Sequence, residues 1–186
     1  MAGIWSDYER LFRALWLEPA CERTVRFTLL DKITVLEPGK RIVGIKNLSL
    51  AEEYLADHFP GFPVMPGVLM LEAMTQAGAW LVRHTEDFAH STVVLKEVRN
   101  VRYANFLEPG KTLEVTAEIV EMSAREVRLK ASGSVDGSTN VSARSLVLER
   151  YNLSEADSSK SVADDVVKLK LRELFALLYR PTPAAA

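Results

Sequence analysis

Two side chains that exchange protons stand close together on an otherwise apolar stretch. In DHFPGFPVMPGVLMLEAMTQAGAWL, from Asp57 to Leu81, His58 supplies an imidazole, which can take or give a proton, and Glu72 supplies a carboxyl. Between them Pro60, Pro63 and Pro66, with Gly61 and Gly67, exclude a regular helix or central strand, because proline lacks an amide donor and fixes φ. A rigid, irregular loop is expected up to Pro66. That proline stands where a first-turn proline is tolerated, and Leu69, Met70, Leu71, Glu72, Ala73 and Met74 are strong helix formers, so a helix is predicted from Gly67 onward. The N–H groups of Gly67 and Val68 at its start lack intrahelical acceptors and lie at the positive end of the dipole, which suits a carbonyl oxygen developing negative charge. Gly67 has no side chain to obstruct an approaching group. These residues can therefore build an acid–base pair beside an oxyanion site. Taken singly, each also has a structural reading: His58 as a loop histidine bonded to a backbone carbonyl, Glu72 as an ion-pair partner at a subunit interface.

The elements around this stretch must position it. From Val68 to Leu81 the helix is apolar nearly all round, so something has to wrap it, and a curved antiparallel sheet folded around one long helix meets that demand. The zone from Arg23 to Tyr151 reads as strand, strand, buried helix and then several strands, an α+β arrangement. Glu37-Pro38-Gly39, Glu108-Pro109-Gly110 and Asp136-Gly137 mark turns, the last a favoured two-residue hairpin. From Leu113 to Ile119 apolar residues alternate with Glu114, Thr116 and Glu118, as a strand with one wet face requires, and Glu126–Val135 and Asn140–Glu149 continue the sheet. Residues 1–22 form an N-terminal extension, where Ser6 and Glu9 suggest a capping box before Tyr8, Leu11, Phe12, Leu15 and Trp16 at helical spacing. Residues 152–186 read as a solvated Ser/Asp-rich linker and an amphipathic helix carrying Val162, Val166, Leu169, Leu171, Leu174, Phe175 and Leu178. Both terminal helices are expected to serve packing.

Composition narrows the function. The 186 residues are 48% hydrophobic, enough for one principal domain, and 23 Lys and Arg against 25 Asp and Glu leave a net charge of −2. That balance supplies no basic field for nucleic acid. Cys21 is the only cysteine, so neither an internal disulfide nor a thiolate metal cluster is available, and a reducing cytoplasm fits. The opening MAGIWSDYER lacks the positive start and apolar run of a secretory signal, and Val68–Val82 is too short and too interrupted to span a bilayer. A soluble, unprocessed protein is expected. His84 and His90 are read as solvated surface residues rather than metal ligands. Phe59, Phe62, Tyr103 and Phe106 read first as core or interface packing and second as walls of an acyl tunnel. Arg99, Arg102, Arg125, Arg128 and Lys130 could meet an acidic partner, although charges scattered on strands usually form a solvated face.

The motif DHFPGFPVMPGVLMLEAMTQ, Asp57 to Gln76, closely resembles GHFPxxPVMPGVLxxEAMAQ of the bacterial 3-hydroxyacyl-acyl-carrier-protein dehydratases of FabZ type. Ile45-Lys46-Asn47-Leu48 and FLEPGKTL, Phe106 to Leu113, are similar to that family's approach strand and later Pro-Gly turn. The resemblance implies a hotdog fold, dimers often assembled into trimers of dimers, and active sites at the dimer interface. It implies that His58 and Glu72 are the catalytic pair, contributed by opposite subunits, and that the Gly67 amide holds the thioester carbonyl. The implied reaction is reversible loss of water from a 3-hydroxyacyl thioester on acyl carrier protein or coenzyme A, with no metal or organic cofactor required. Asp57 departs from the usual glycine before the histidine, and the terminal helices lie outside the common pattern. A hotdog thioesterase and a non-catalytic acyl-binding scaffold are the competing readings. The His58 loop argues against the first, and retention of both His58 and Glu72 against the second.

Overall fold

The computed structural model describes residues 27–180. Six strands, β1 (Lys32–Glu37), β2 (Arg41–Asn47), β3 (Thr92–Tyr103), β4 (Thr112–Met122), β5 (Glu126–Val135) and β6 (Ser138–Tyr151), form one sheet in the order β1-β2-β4-β5-β6-β3. Every pairing is antiparallel. The alternation read along β4 buries Leu113, Val115 and Ala117 completely, while Glu114 and Glu118 face outward. At Ile119/Glu121 a register shift interrupts it. Val135 and Ser138 pair directly across Asp136 (φ 51°) and Gly137 (φ 78°), so both turn residues adopt the positive φ that favours Asp-Gly at a two-residue hairpin.

The sheet curves around α1 (Gly67–Thr85), which touches β2, β3, β4, β5 and β6. Met70, Ala73, Met74, Ala77, Gly78, Trp80, Leu81 and Val82 are buried against it. Gly78 lets β5 and β6 close in: a Cβ there would lie 3.3 Å from Leu129 Cδ2 and 3.4 Å from Leu148 Cδ1. Full burial of side chains such as Leu129, Leu146 and Leu148 contributes roughly 1.5–3 kcal/mol each, so the helix–sheet contact carries the domain. The helix is not covered all round, however. Val68 is 66% exposed, and Leu69, Leu71, Glu72 and Gln76 are only partly buried, which leaves one side of its first half uncovered in a single protomer.

A second helix, α2 (Ser161–Leu178), docks on the C-terminal end of α1. The Phe175 ring lies 5.0 Å from His84, stacked at 21°, and within 6 Å of Trp80, Phe88 and Tyr179. The apolar stripe read from the sequence divides here. Leu171, Leu174, Phe175 and Leu178 turn inward, whereas Val162, Val166 and Leu169 stay exposed, because only the C-terminal half of the helix lies over apolar surface. Its N-terminal half is held by a polar latch, in which the buried Asp164 carboxylate accepts from the Ser91 hydroxyl and, at 2.9 Å each, from the N–H groups of Leu153 and Ser154. The stretch expected to be a solvated linker is exposed from Glu155 to Ser161, while the chain entering it is tied down. Asn152 accepts from Ser91 N–H and donates to the Ala89 carbonyl, and 3₁₀ turns follow at Leu153–Glu155 and Ser158–Lys160. The two histidines read as solvated are also engaged: His84 packs on Phe175, and His90 Nδ1 lies 3.2 Å from Glu86, which also pairs with the buried Arg150 at 2.9 Å. The N-terminal helix expected within residues 1–22 lies outside the described residues.

Candidate active site

The loop before α1 is rigid for reasons beyond its prolines. Phe59 and Phe62 exchange backbone hydrogen bonds of 3.2 and 2.9 Å, Val64 N–H donates to the His58 carbonyl at 3.0 Å, and Met65 N–H donates to Leu107 at 2.8 Å. Val64 and Met65 are buried, so they anchor the loop in the core while its tip stays at the surface. The peptide bond between His58 and Phe59 is cis.

His58 stands half-buried against Phe59, their rings stacked with centroids 4.3 Å apart. Its Nδ1 lies 2.9 Å from the Val64 carbonyl oxygen. A carbonyl can only accept, so in the neutral ring Nδ1 carries the hydrogen and Nε2 keeps its lone pair. The backbone bond of the structural reading and an orientation suited to proton abstraction therefore coexist in this residue.

His58, Phe59, Gly67, Tyr103 and Phe106 share one cavity of about 510 Å³, within the range of small-molecule sites. At the start of α1 the Leu69 and Met70 N–H groups both turn to the Pro66 carbonyl, while those of Gly67 and Val68 have no acceptor among the described residues. Tyr103 lies across the helix start so closely that a Cβ on Gly67 would sit 3.0 Å from its Cδ1 and Cε1. Only glycine fits under that ring without displacing it.

Three residues named from the sequence are not brought to this cavity. Val68 points to solvent; Phe62 packs edge-on against Phe106, 5.6 Å between centroids, and is not itself a wall of this cavity. Glu72 lies outside the cavity walls in its own protomer, half-buried, with Gln76 Nε2 donating to its Oε1 at 2.9 Å. The aromatic residues are not core: Phe59, Phe62, Tyr103 and Phe106 are 46–66% exposed, and all but Phe62 line the cavity. Met65, Met70, Ala104 and Asn105 also line the cavity and were missed. Met70 follows Gly67 by three residues, so helical spacing could have identified it. Ala104 and Asn105 could not be found that way, since Asn140 on β6 holds their segment by accepting from Ala104 N–H at 2.8 Å through its carbonyl and donating to the Phe106 carbonyl at 3.0 Å. Four of the five basic candidates are paired with carboxylates: Arg99 with Glu97, Arg125 with Glu155, Arg128 with Glu121 and Lys130 with Glu118.

A curved antiparallel sheet around one long helix, with a histidine loop at the helix start, defines a hotdog-fold protein with an apolar cavity equipped for proton transfer. A family profile described as a FabA-like domain matches residues 22–144, and the chain belongs to that family. Among curated relatives it is similar to the 3-hydroxyacyl-acyl-carrier-protein dehydratase FabZ of Halalkalibacterium halodurans, 38% identical over 113 residues covering 61% of this chain and 81% of that protein. The FabZ of Ruminiclostridium cellulolyticum is 39% identical over 111 residues, covering 60% and 78%. Among solved structures, the dehydratase heterocomplex ApeI:P from Xenorhabdus doucetiae matches with a TM-score of 0.57 at 18% identity, covering 72% of this chain and 90% of that one. The protein smu.793 from Streptococcus mutans UA159 matches with a TM-score of 0.52 at 13% identity, covering 73% and 98%. These structural likenesses speak for the fold.

Proposed function

We propose that the chain reversibly dehydrates a 3-hydroxyacyl thioester to the trans-2-enoyl thioester in acyl-chain biosynthesis, with acyl carrier protein as the carrier. The observation that carries this reading is His58, its Nδ1 committed to Val64, in an apolar cavity beside the Gly67 amide, with neither its Nε2 nor that amide paired among the described residues. Nε2 takes the C2 proton, and the carbon–hydrogen electron pair moves toward the thioester carbonyl, whose oxygen is polarised by Gly67 N–H with Val68 N–H beside it. As the C2–C3 double bond forms, the C3–O bond breaks and the hydroxyl leaves as water with a proton from Glu72. The reverse sequence adds water, so product removal sets the net direction. Each proton transfer is of the kind worth ~10²–10⁴-fold in rate.

The site belongs to a homodimer. Glu72 lies outside the cavity of its own His58, and the uncovered side of α1 carries it. The twelve-residue β3 ends the sheet with an edge that has no partner strand among the described residues, and Val94 on it is 42% exposed. An antiparallel β3–β3 pairing would satisfy that edge. No described helix is long and apolar enough to cross a membrane. The lone Cys21 fits a reducing compartment, and the proposed location is the cytoplasm.

The test is subunit complementation. His58→Ala and Glu72→Gln should each lose most hydration of a 2-enoyl thioester yet still assemble. After exchange, random pairing gives about half heterodimers with one intact site of two, hence about one quarter of wild-type turnover. Zero recovery despite proven exchange would count against the shared site, and rapid release of free thiol would replace the dehydratase with a thioesterase.

A further inference from the structure

Asn140 breaks the alternation of β6. Successive side chains of a strand point to opposite faces, yet Asn140 and Val141 are both buried. Val141 packs in the core and pairs with Gly133, while Thr139 pairs with Ser134, so Asn140 is the extra residue of a β-bulge, without a partner on β5. A bulge re-aims the side chain it carries. Here the Asn140 amide reaches past the end of β3. The β3–β6 ladder closes with Tyr103 opposite Val141 and with Ala104 N–H donating to the Asn140 carbonyl at 2.8 Å. Two residues further on, where the chain belongs to no strand, Asn140 Nδ2 donates to the Phe106 carbonyl at 3.0 Å.

That stretch is a cavity wall. Tyr103, Ala104, Asn105 and Phe106 line the cavity together with the His58 loop and the start of α1, whereas Asn140 does not line it. The wall meets the His58 loop at Met65, whose N–H donates to the Leu107 carbonyl at 2.8 Å, and at the Phe62–Phe106 ring contact of 5.6 Å. Its tie to the sheet beyond Ala104 is the Asn140 amide. The other side-chain bond of this stretch among the described residues, from Asn105 Nδ2 to the Thr139 carbonyl, is 3.4 Å long and weak. His58 is oriented separately, since both its ring and its carbonyl are bonded to Val64 within its own loop. We infer that Asn140 is a positioning residue that sets the separation between the Tyr103–Phe106 wall and the His58 loop, and through it which acyl chains the cavity admits. One methylene in an apolar pocket is worth roughly 10–200-fold in discrimination, so a small displacement of a wall is enough to change the selection. The inference rests on the proposed dehydration and extends it to substrate choice.

Two substitutions remove the tie without opening a large cavity. Asn140→Leu keeps the volume and lacks the donor. Asn140→Asp keeps the shape and, when ionised, faces the Phe106 carbonyl with an oxygen, so that neither group can donate. Wild-type hydration is measured first on trans-2-enoyl thioesters with short, medium and long chains. Its absence at every length would refute the dehydratase reading, and the wall is then tested by calorimetric binding of the saturated acyl thioesters, where the same loss of discrimination is expected. With wild-type activity in hand, each folded variant should raise KM for the preferred chain ~10-fold and shrink its kcat/KM advantage over the other lengths ~10-fold. At saturation kcat should stay within about threefold, and its pH profile, which reports the proton-transferring groups, should not move. A merely structural role lowers kcat by the lost folded fraction, equally at every chain length, with KM and the chain-length ratio intact; that result would overturn the inference. A shifted pH profile would overturn it too, because the influence would then fall on His58. Should either variant fail to fold, Asn140→Ser, a smaller change whose hydroxyl is one bond short of Phe106, is read by the same criteria.

Discussion

Truncating Phe175 to alanine should loosen the C-terminal helix and leave the chemistry alone. The ring is partly buried and meets His84, Trp80, Phe88 and Tyr179, with centroids between 5.0 and 5.9 Å. Removing a fully buried phenylalanine costs ~3–5 kcal/mol, and this ring keeps part of its surface in water, so about half of that, ~2 kcal/mol, is expected. In a chain of this size each kcal/mol lowers Tm by ~2–4 °C, which gives a fall of ~4–8 °C. Leu177→Ala is the internal control. That leucine is two residues away on the same helix but 65% exposed, so its truncation should stay within about 0.5 kcal/mol. Thermal unfolding followed by near-ultraviolet circular dichroism measures both variants, and enoyl-thioester hydration at 25 °C should match the wild type within about twofold. Equal melting of the two variants would refute the assignment of an inner and an outer face to α2. Normal melting with lost turnover in Phe175→Ala would instead give the helix a role at the site.

The latch at Asp164 has a pH signature. Burial pushes this carboxyl up, but bonds from the Ser91 and Ser154 side chains and from the N–H groups of Ser154 and Leu153 outweigh that and hold it below the usual carboxylate range. A depressed folded-state pKa contributes stability that is fully present above the unfolded value of ~3.9 and is lost as pH falls from there toward the folded value. The Tm difference between wild type and Asp164→Asn should therefore be constant from pH 7 to about 5 and shrink below about 4; growth on acidification would contradict the latch. At the site, Gly67→Ala would put a methyl group 3.0 Å from two Tyr103 ring carbons. Tyr103 is 48% exposed and can swing aside, so the fold should persist while kcat/KM falls ~10-fold or more through the displaced ring and crowded amide; unchanged kinetics would show that this space is not used.

Much of the site's local construction was legible because its signals act within a few residues. Pro60, Pro63 and Pro66 forbid helix before Gly67, and α1 begins at Gly67. Asp136-Gly137 specifies a tight hairpin, and the alternation from Leu113 specifies which face of β4 is wet. The His58–Glu72 spacing within the proline-rich motif carried the family resemblance, and the match over residues 22–144 agrees with it. Composition alone argued for a single core.

Other properties depend on partners far away in the chain. Placing β3 at the sheet edge beside β6, rather than next to β2, is decided by long-range pairing that no local pattern encodes. Tertiary structure also decided that Tyr103 and Phe106 line a cavity, since their placement depends on where Asn140 holds the segment after β3. The amphipathic C-terminal stripe was visible, but helical periodicity says only that an apolar face needs cover; Phe88, Trp80 and His84 determine which half receives it. The same holds for Asp164 and Gln76. Each reads as an ordinary polar residue on a helix until folding brings Ser91 to one and the backbone of Phe27 and Leu29 to the other, because a hydrogen-bond partner many residues away is fixed only by the packing of the whole chain.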